Sequence, residues 1–295
     1  MVTRDTAMTT IRPLSAVGLL EQALSVHQER LRLLAARARG GGDEALVHDT
    51  RVALRRLEAV ARLFRDVPGK GEPARLRAAA RGPRRRLSIV RSEEVGRALL
   101  AARLESADGA LAALVFPGEL PGIRVDAAEL ETASRALSRW RRRLRGEFEG
   151  AFAPRAAAEG DLLGRTLRRV RRRLSALLRL LPPRAATLHE ARIAAKRVRY
   201  ALEAVEPLRP EVRALLRPLR AFQDAAGEAH DLVELGTRLR QAAARDGETA
   251  AAAARIDHVI EAESARAIDA ARLRGALLEG PARRVRAALR RPETR

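Results

Sequence analysis

Apolar residues in this chain recur every third or fourth position over long stretches, and that spacing points to one kind of regular structure. Leu163, Leu167, Val170, Leu174, Leu177 and Leu181 fall in steps of 4, 3, 4, 3 and 4. Val17, Leu20, Leu24, Leu31 and Leu34 follow the same rule near the N-terminus, with His27 in the seam. A period near 3.6 puts such residues on one stripe, which a helix buries against other helices. Sheets would want aromatic and β-branched side chains, yet aromatics are only 2% of the 295 residues. Ala, Leu, Arg and Glu dominate instead, and they lose little rotamer freedom in a helix. The chain reads as all-α.

Helix-stopping residues divide it. The first helix spans 14–39 and ends at Gly40, Gly41 and Gly42; a second covers 43–64. Pro73 and Pro83 punctuate two further stretches, the latter reaching Leu104, and 115–126 carries two Pro and two Gly and reads as a loop. Residues 127–148 are helical, and Ala151–Gly160 is a natural boundary. Beyond it the pattern predicts helices over 163–181, 185–205, 211–245 (bent at Pro218 and Gly227), 248–278 and 282–290. Short loops favour antiparallel neighbours. The expectation is two four-helix bundles, 14–150 and 161–290.

Charge is the second constraint. Lys+Arg number 58 against 37 Asp+Glu, a formal net charge of +21, and all but Lys70 and Lys196 of the basic residues are arginine. Such a field attracts polyanions and speeds their arrival. Cysteine is absent, which excludes disulfides, thiolate metal sites and cysteine nucleophiles. The opening MVTRDTAMTTIRPL lacks the apolar core of a signal peptide, and no run approaches the roughly 20 apolar residues that span a bilayer. A cytoplasmic location without membrane association is expected, as is the absence of metal and cofactor.

The two halves resemble each other. LVHDTRVALRRLEAV (46–60) aligns with TLHEARIAAKRVRYA (187–201) when His48 is paired with His189. Arg51/Arg192, Ala53/Ala194 and Arg56/Arg197 are identical, and Arg55/Lys196 is conservative. On a helix, Arg51, Arg55 and Arg62 fall within about 60° of His48, opposite the apolar Leu54, Leu57, Val60, Ala61 and Phe64. In the second copy His189, Arg192, Lys196 and Arg199 oppose Val198, Leu202 and Val205. Each helix thus packs with one stripe and presents cations with the other. Related by a pseudo-two-fold axis, the two cationic faces would converge on one basic groove or pore, where the field is focused.

These residues resemble the conserved-histidine α-helical domain family, known as CHAD, whose hallmark is a repeated His-x-x-Arg helix with further basic residues one and two turns on. HDTRVALRR and HEARIAAKRVRY are the two copies here. RSEEV (91–95) is similar to the family's Arg-Asp-x-Asp-Val, with Ser92 in place of Asp, and FQDAAGEAHD (222–231) to its Gln-Asp-x-x-Gly segment. The resemblance covers 14–290. It implies two helical bundles around a basic pocket, binding of inorganic polyphosphate, and association with polyphosphate granules. No Glu-x-Glu-x-Lys strand of the triphosphatase fused to some members occurs here. The implied ligand contacts are His48, Arg51, Arg55, Arg56, Arg91, His189, Arg192, Lys196, Arg197 and Arg199, with Arg84, Arg85, Arg217 and Arg220 as secondary candidates. Arg and Lys would neutralise phosphate oxygens, and His would donate a hydrogen bond. His27, His230 and His258 read as packing or surface residues.

Two rivals stay open. Nonspecific nucleic-acid binding uses the same counterion release, although stacking platforms for bases are scarce in so aromatic-poor a chain. A phosphatase or phosphotransfer enzyme would use a helical His beside cations. No His follows Glu by three residues, and neither GxxxxGK[ST] nor HExxH occurs, so a non-enzymatic binding protein is expected.

Overall fold

A computed structural model describes residues 16–41, 44–67, 71–104, 109–118, 124–148, 152–247 and 249–290. All regular structure among them is helical. The helices are α1 (Ala16–Arg39), α2 (Glu44–Leu63), α3 (Glu72–Ala101), α4 (Gly109–Val115), α5 (Ala127–Phe148), α6 (Phe152–Leu178), α7 (Leu188–Val205), α8 (Arg213–Ala243) and α9 (Ala250–Ala288). Short 3-10 turns at Ala185–Thr187 and Pro210–Val212 lead into α7 and α8. Among the described residues, no helix is long and apolar enough to cross a membrane.

Pro73 opens a helix as expected, while the breaks expected at Pro83 and Pro281 are absent. Pro73 sits in the first turn of α3, where its missing N–H has no intrahelical partner to lose. Pro83 and Pro281 lie inside α3 and α9, each of which runs straight through the break the sequence suggested. A proline inside a helix removes one backbone hydrogen bond. Packing holds both helices through it: Ala80 and Leu87 flank Pro83, Leu278 and Ala282 flank Pro281, and all four are buried. The segment read as a boundary, Ala151–Gly160, is helical from Phe152, the start of α6. The short α4 lies in a stretch assigned no helix from sequence.

The packing order is simple. α1 packs on α2 and α5, and α3 closes that ring by packing on α2 and α5. α7 and α9 flank α6, and α8 joins α7 to α9. Across the two rings α1 meets α6, α2 meets α7, and α3 meets α8. Leu54, Leu57 and Ala61 of α2, Phe64 just after it, and Val198, Ala201, Leu202 and Val205 of α7 are fully buried, as their spacing predicts. Burying each large side chain of this kind contributes about 1.5–3 kcal/mol. These stripes seat α2 and α7 beside each other and leave their cationic stripes for the cleft.

One close approach fixes α3 against the loop after α4. A Cβ on Gly96 would come within 2.5 Å of the Phe116 ring, so only glycine lets the buried ring lie there. Arg97 and Arg238 cover that ring from α3 and α8, 5.3 and 4.9 Å from its centroid. Each such cation–π contact is worth about 0.5–1 kcal/mol where exposed.

Candidate functional site

The cationic stripes of α2 and α7 open onto a cleft of about 680 Å³. Arg55 and Arg62 reach it from α2, and His189, Arg192, Lys196 and Arg197 from α7. Arg84 of α3, Arg173 of α6 and His230 of α8 complete its polar wall together with Glu58. Five helices therefore contribute to one basic depression.

Its cations fall into two groups. Glu58, buried on α2, accepts hydrogen bonds from Arg84 Nε at 2.8 Å and Arg62 Nη2 at 3.1 Å. That carboxylate neutralises part of the wall and fixes two guanidinium groups in it. Arg55, Arg173, Lys196 and Arg197 form no hydrogen bond or ion pair among the described residues. Arg192 Nε is buried and equally without a hydrogen-bond partner.

Crowding of like charge shows in the acid–base properties. Burial pushes Lys196 down to about 7, assisted by Arg192 and Arg55 and opposed by Asp231. Arg173 is pushed down to about 10, by burial first and then by Arg62, Arg169 and Arg197. Burial also lowers Arg192, against the pull of Asp231. Asp231 itself is raised by burial despite Arg192 beside it. His230 is lowered by burial, then by Arg192 and His189. Desolvation penalises a charged group that lacks a partner. The cleft carries more positive charge than its own acids offset.

Not every candidate residue faces this space. Arg56 comes next after Arg55, about 100° further round the helix, and so points away from the cleft. Its Nε donates to Glu203 Oε2 of α7 at 3.2 Å. Arg199 lies over the Tyr200 ring, 4.9 Å from its centroid, with its Nε 3.6 Å from Glu203 Oε1. Arg56 and Glu203 border a separate, mainly apolar cavity of about 270 Å³ that also holds His27. Burial and Arg56 lower that histidine to about 4, which keeps it neutral, consistent with the packing role read from its seam position. His48 is exposed and Arg51 half-buried, and neither is part of the cleft wall. Arg85, Arg217 and Arg220 are exposed outside it. Arg91 belongs to α3, but its side chain lies outside the described ones.

Arg173, His230 and Glu58 of the wall were not anticipated as site residues. Arg173 stands between the seam residues Val170 and Leu174, and only the three-dimensional arrangement of α6 and α2 brings it to the cleft. His230, read as a packing or surface residue, faces His189 with ring centroids 4.8 Å apart. Its place next to Asp231 in the FQDAAGEAHD segment was the available clue. Among the described residues, no three His, Asp or Glu side chains group so as to hold a metal ion.

The CHAD domain family model matches residues 22–240. The crystal structure of the CHAD domain from the plant Ricinus communis is 25% identical, covers 99% of this chain and 98% of its own, and superposes with a TM-score of 0.56. No curated protein gives a significant match. With three quarters of its length matched by the family model, and a likeness to that solved domain from end to end, this all-helical chain belongs to the CHAD-domain family.

Proposed function

We propose that the protein binds inorganic polyphosphate in the cleft between α2 and α7, as a binding module rather than an enzyme. One observation carries the reading: Arg55, Arg173, Lys196 and Arg197 face a shared space and make no hydrogen bond or ion pair among the described residues. Burial disfavours the charged forms of Arg173 and Lys196, and an arriving polyanion offsets that. Guanidinium groups offer planar forks that suit phosphate oxygens. A thin, flexible chain of phosphates can follow a cleft walled by five helices. In this reading the rings α1–α2–α3–α5 and α6–α7–α8–α9 are the two repeats expected over 14–150 and 161–290, the second beginning earlier, with α6 at Phe152. A pseudo-two-fold axis passes between the motif helices, and the His-x-x-Arg residues are split between cleft and rim. A cytoplasmic protein that gathers on polyphosphate granules fits this chemistry.

The net charge of +21 also suits nucleic acid, the second reading. Phe64, Phe116, Trp140, Tyr200 and Phe222 are all buried, so they offer no platform for stacked bases. Duplex DNA remains the relevant competitor. In a competition titration at several salt concentrations, polyphosphate should displace duplex DNA at equal phosphate concentration. Equal affinity for the two polymers at every salt concentration would reduce the cleft to a merely basic surface.

A further inference from the structure

We infer that Arg173, which belongs to neither His-x-x-Arg motif, anchors the bound anion by holding one phosphoryl group jointly with Arg62 and Arg197. This rests on the polyphosphate reading and assigns one of its contacts to α6. Arg173 is half-buried, lines the cleft, and makes no hydrogen bond or ion pair among the described residues.

Its charged neighbours are Arg62, Arg65, Arg169 and Arg197, all cations. Three of those four have their own compensation. Glu58 accepts from Arg62, and Asp66 lies 3.5 Å from Arg65 Nε. Arg169 pairs with Asp66 and donates to the Leu63 carbonyl at 2.7 Å. Arg173 has no such partner.

A guanidinium held among cations works against the fold, since like charges repel and burial weakens hydration. The seam residues Val170, Leu174 and Leu177 of the same helix are buried, so α6 packs without calling for a charge at position 173. Its stem packs whether or not its head is charged. A charge that costs stability in the empty protein is accounted for by what binds there. Arg62 and Arg197 line the same cleft from α2 and α7, so guanidinium groups from three helices face the space that a phosphoryl group would enter.

The test uses the full chain, titrated with inorganic tripolyphosphate and long-chain polyphosphate, plus melting curves without ligand. Arg173→Met keeps the stem and removes the charge; Arg172→Met, at an exposed neighbour, is the matched control. Arg173→Met should weaken binding of both probes by about tenfold or more, as loss of a desolvated charge contact does. Its ligand-free melting temperature should stay level or rise. Arg172→Met should bind within about twofold of wild type, as expected for a screened exposed charge. Arg173→Lys, which keeps the charge but loses the fork, should fall between wild type and Arg173→Met. Arg173→Met binding like Arg172→Met, or melting well below wild type, overturns the inference. The polyphosphate reading survives either result if Arg55→Glu/Lys196→Glu still abolishes binding; if that double variant also binds normally, the reading itself fails.

Discussion

His189 of α7 and His230 of α8 face each other in the cleft wall with ring centroids 4.8 Å apart, beside Arg192 and Lys196. Burial, and then Arg192 and His189, oppose protonation of His230. Lys196 is held down to about 7 by burial, Arg192 and Arg55. A bound polyanion reverses that balance and favours the charged forms. Polyphosphate affinity should therefore rise as pH falls from about 8 to 6, with net proton uptake on binding. Calorimetric titrations in two buffers of different ionisation heat measure that uptake. Binding that is flat with pH and takes up no proton would contradict it.

Stability of the empty protein should move the other way. Lys196 has a folded value below its ordinary 10.5, so the unfolded chain binds more protons between about 7 and 10. Stability then rises with pH through that window. The lowered His230 acts with the same sign near its ordinary 6.5. Asp231, raised above 3.8, gives the opposite slope only in the acid range. Melting temperatures of wild type and Lys196→Met across this range test the link. The variant should lose most of the slope above about pH 7, and an unchanged slope would mean that Lys196 is not its source.

Arg56 belongs to the motif by sequence but is tied to Glu203 on the far side of α2. Arg56→Ala should cost about 0–1 kcal/mol of stability, the usual worth of a partly exposed ion pair. Polyphosphate affinity should change by no more than about twofold, because the lost charge is off the cleft wall and screened. Arg55→Ala, one residue away, should weaken binding several times more. Equal effects from the two would mean that the wall is drawn wrongly.

Gly96→Ala tests the packing between α3 and Phe116. The added methyl would meet the ring at 2.5 Å, and the ring is buried. Overpacking of this kind costs about 1–3 kcal/mol, against roughly 1 kcal/mol gained in helix propensity. Chemical denaturation should show a net loss, and a stabilised variant would show that Phe116 moves aside freely.

Much of this was readable from the amino acids. The 3,4 spacing of Leu163–Leu181 and the apolar stripe of α2 gave the helices and their buried faces. Local spacing determines which way a side chain points from its own helix. Pro83 and Pro281 misled because proline's effect on a helix is local, whereas the packing of Ala80, Leu87, Leu278 and Ala282 that outweighs it comes from other helices. The site divides in the same way. Arg55, Arg192, Lys196 and Arg197 follow from the repeat and line the cleft. Arg173 and His230 enter through the arrangement of α6 and α8, which no single-helix pattern encodes. Arg56 and Arg199 leave because Glu203, at the repeat position of Arg62, supplies them with an acid.

The decisive measurement compares two double charge reversals by polyphosphate titration. Arg55→Glu/Lys196→Glu changes the cleft; Arg283→Glu/Arg284→Glu changes exposed positions near the end of α9 and alters the formal net charge equally. A cleft focuses the field, while charges beyond about one Debye length, roughly 8–10 Å, are screened. The cleft variant should lose binding by about a hundredfold or more and keep its helical circular dichroism, while the α9 variant should lose only a few-fold. Equal losses from the two would contradict the cleft and leave overall charge as the sole determinant of binding.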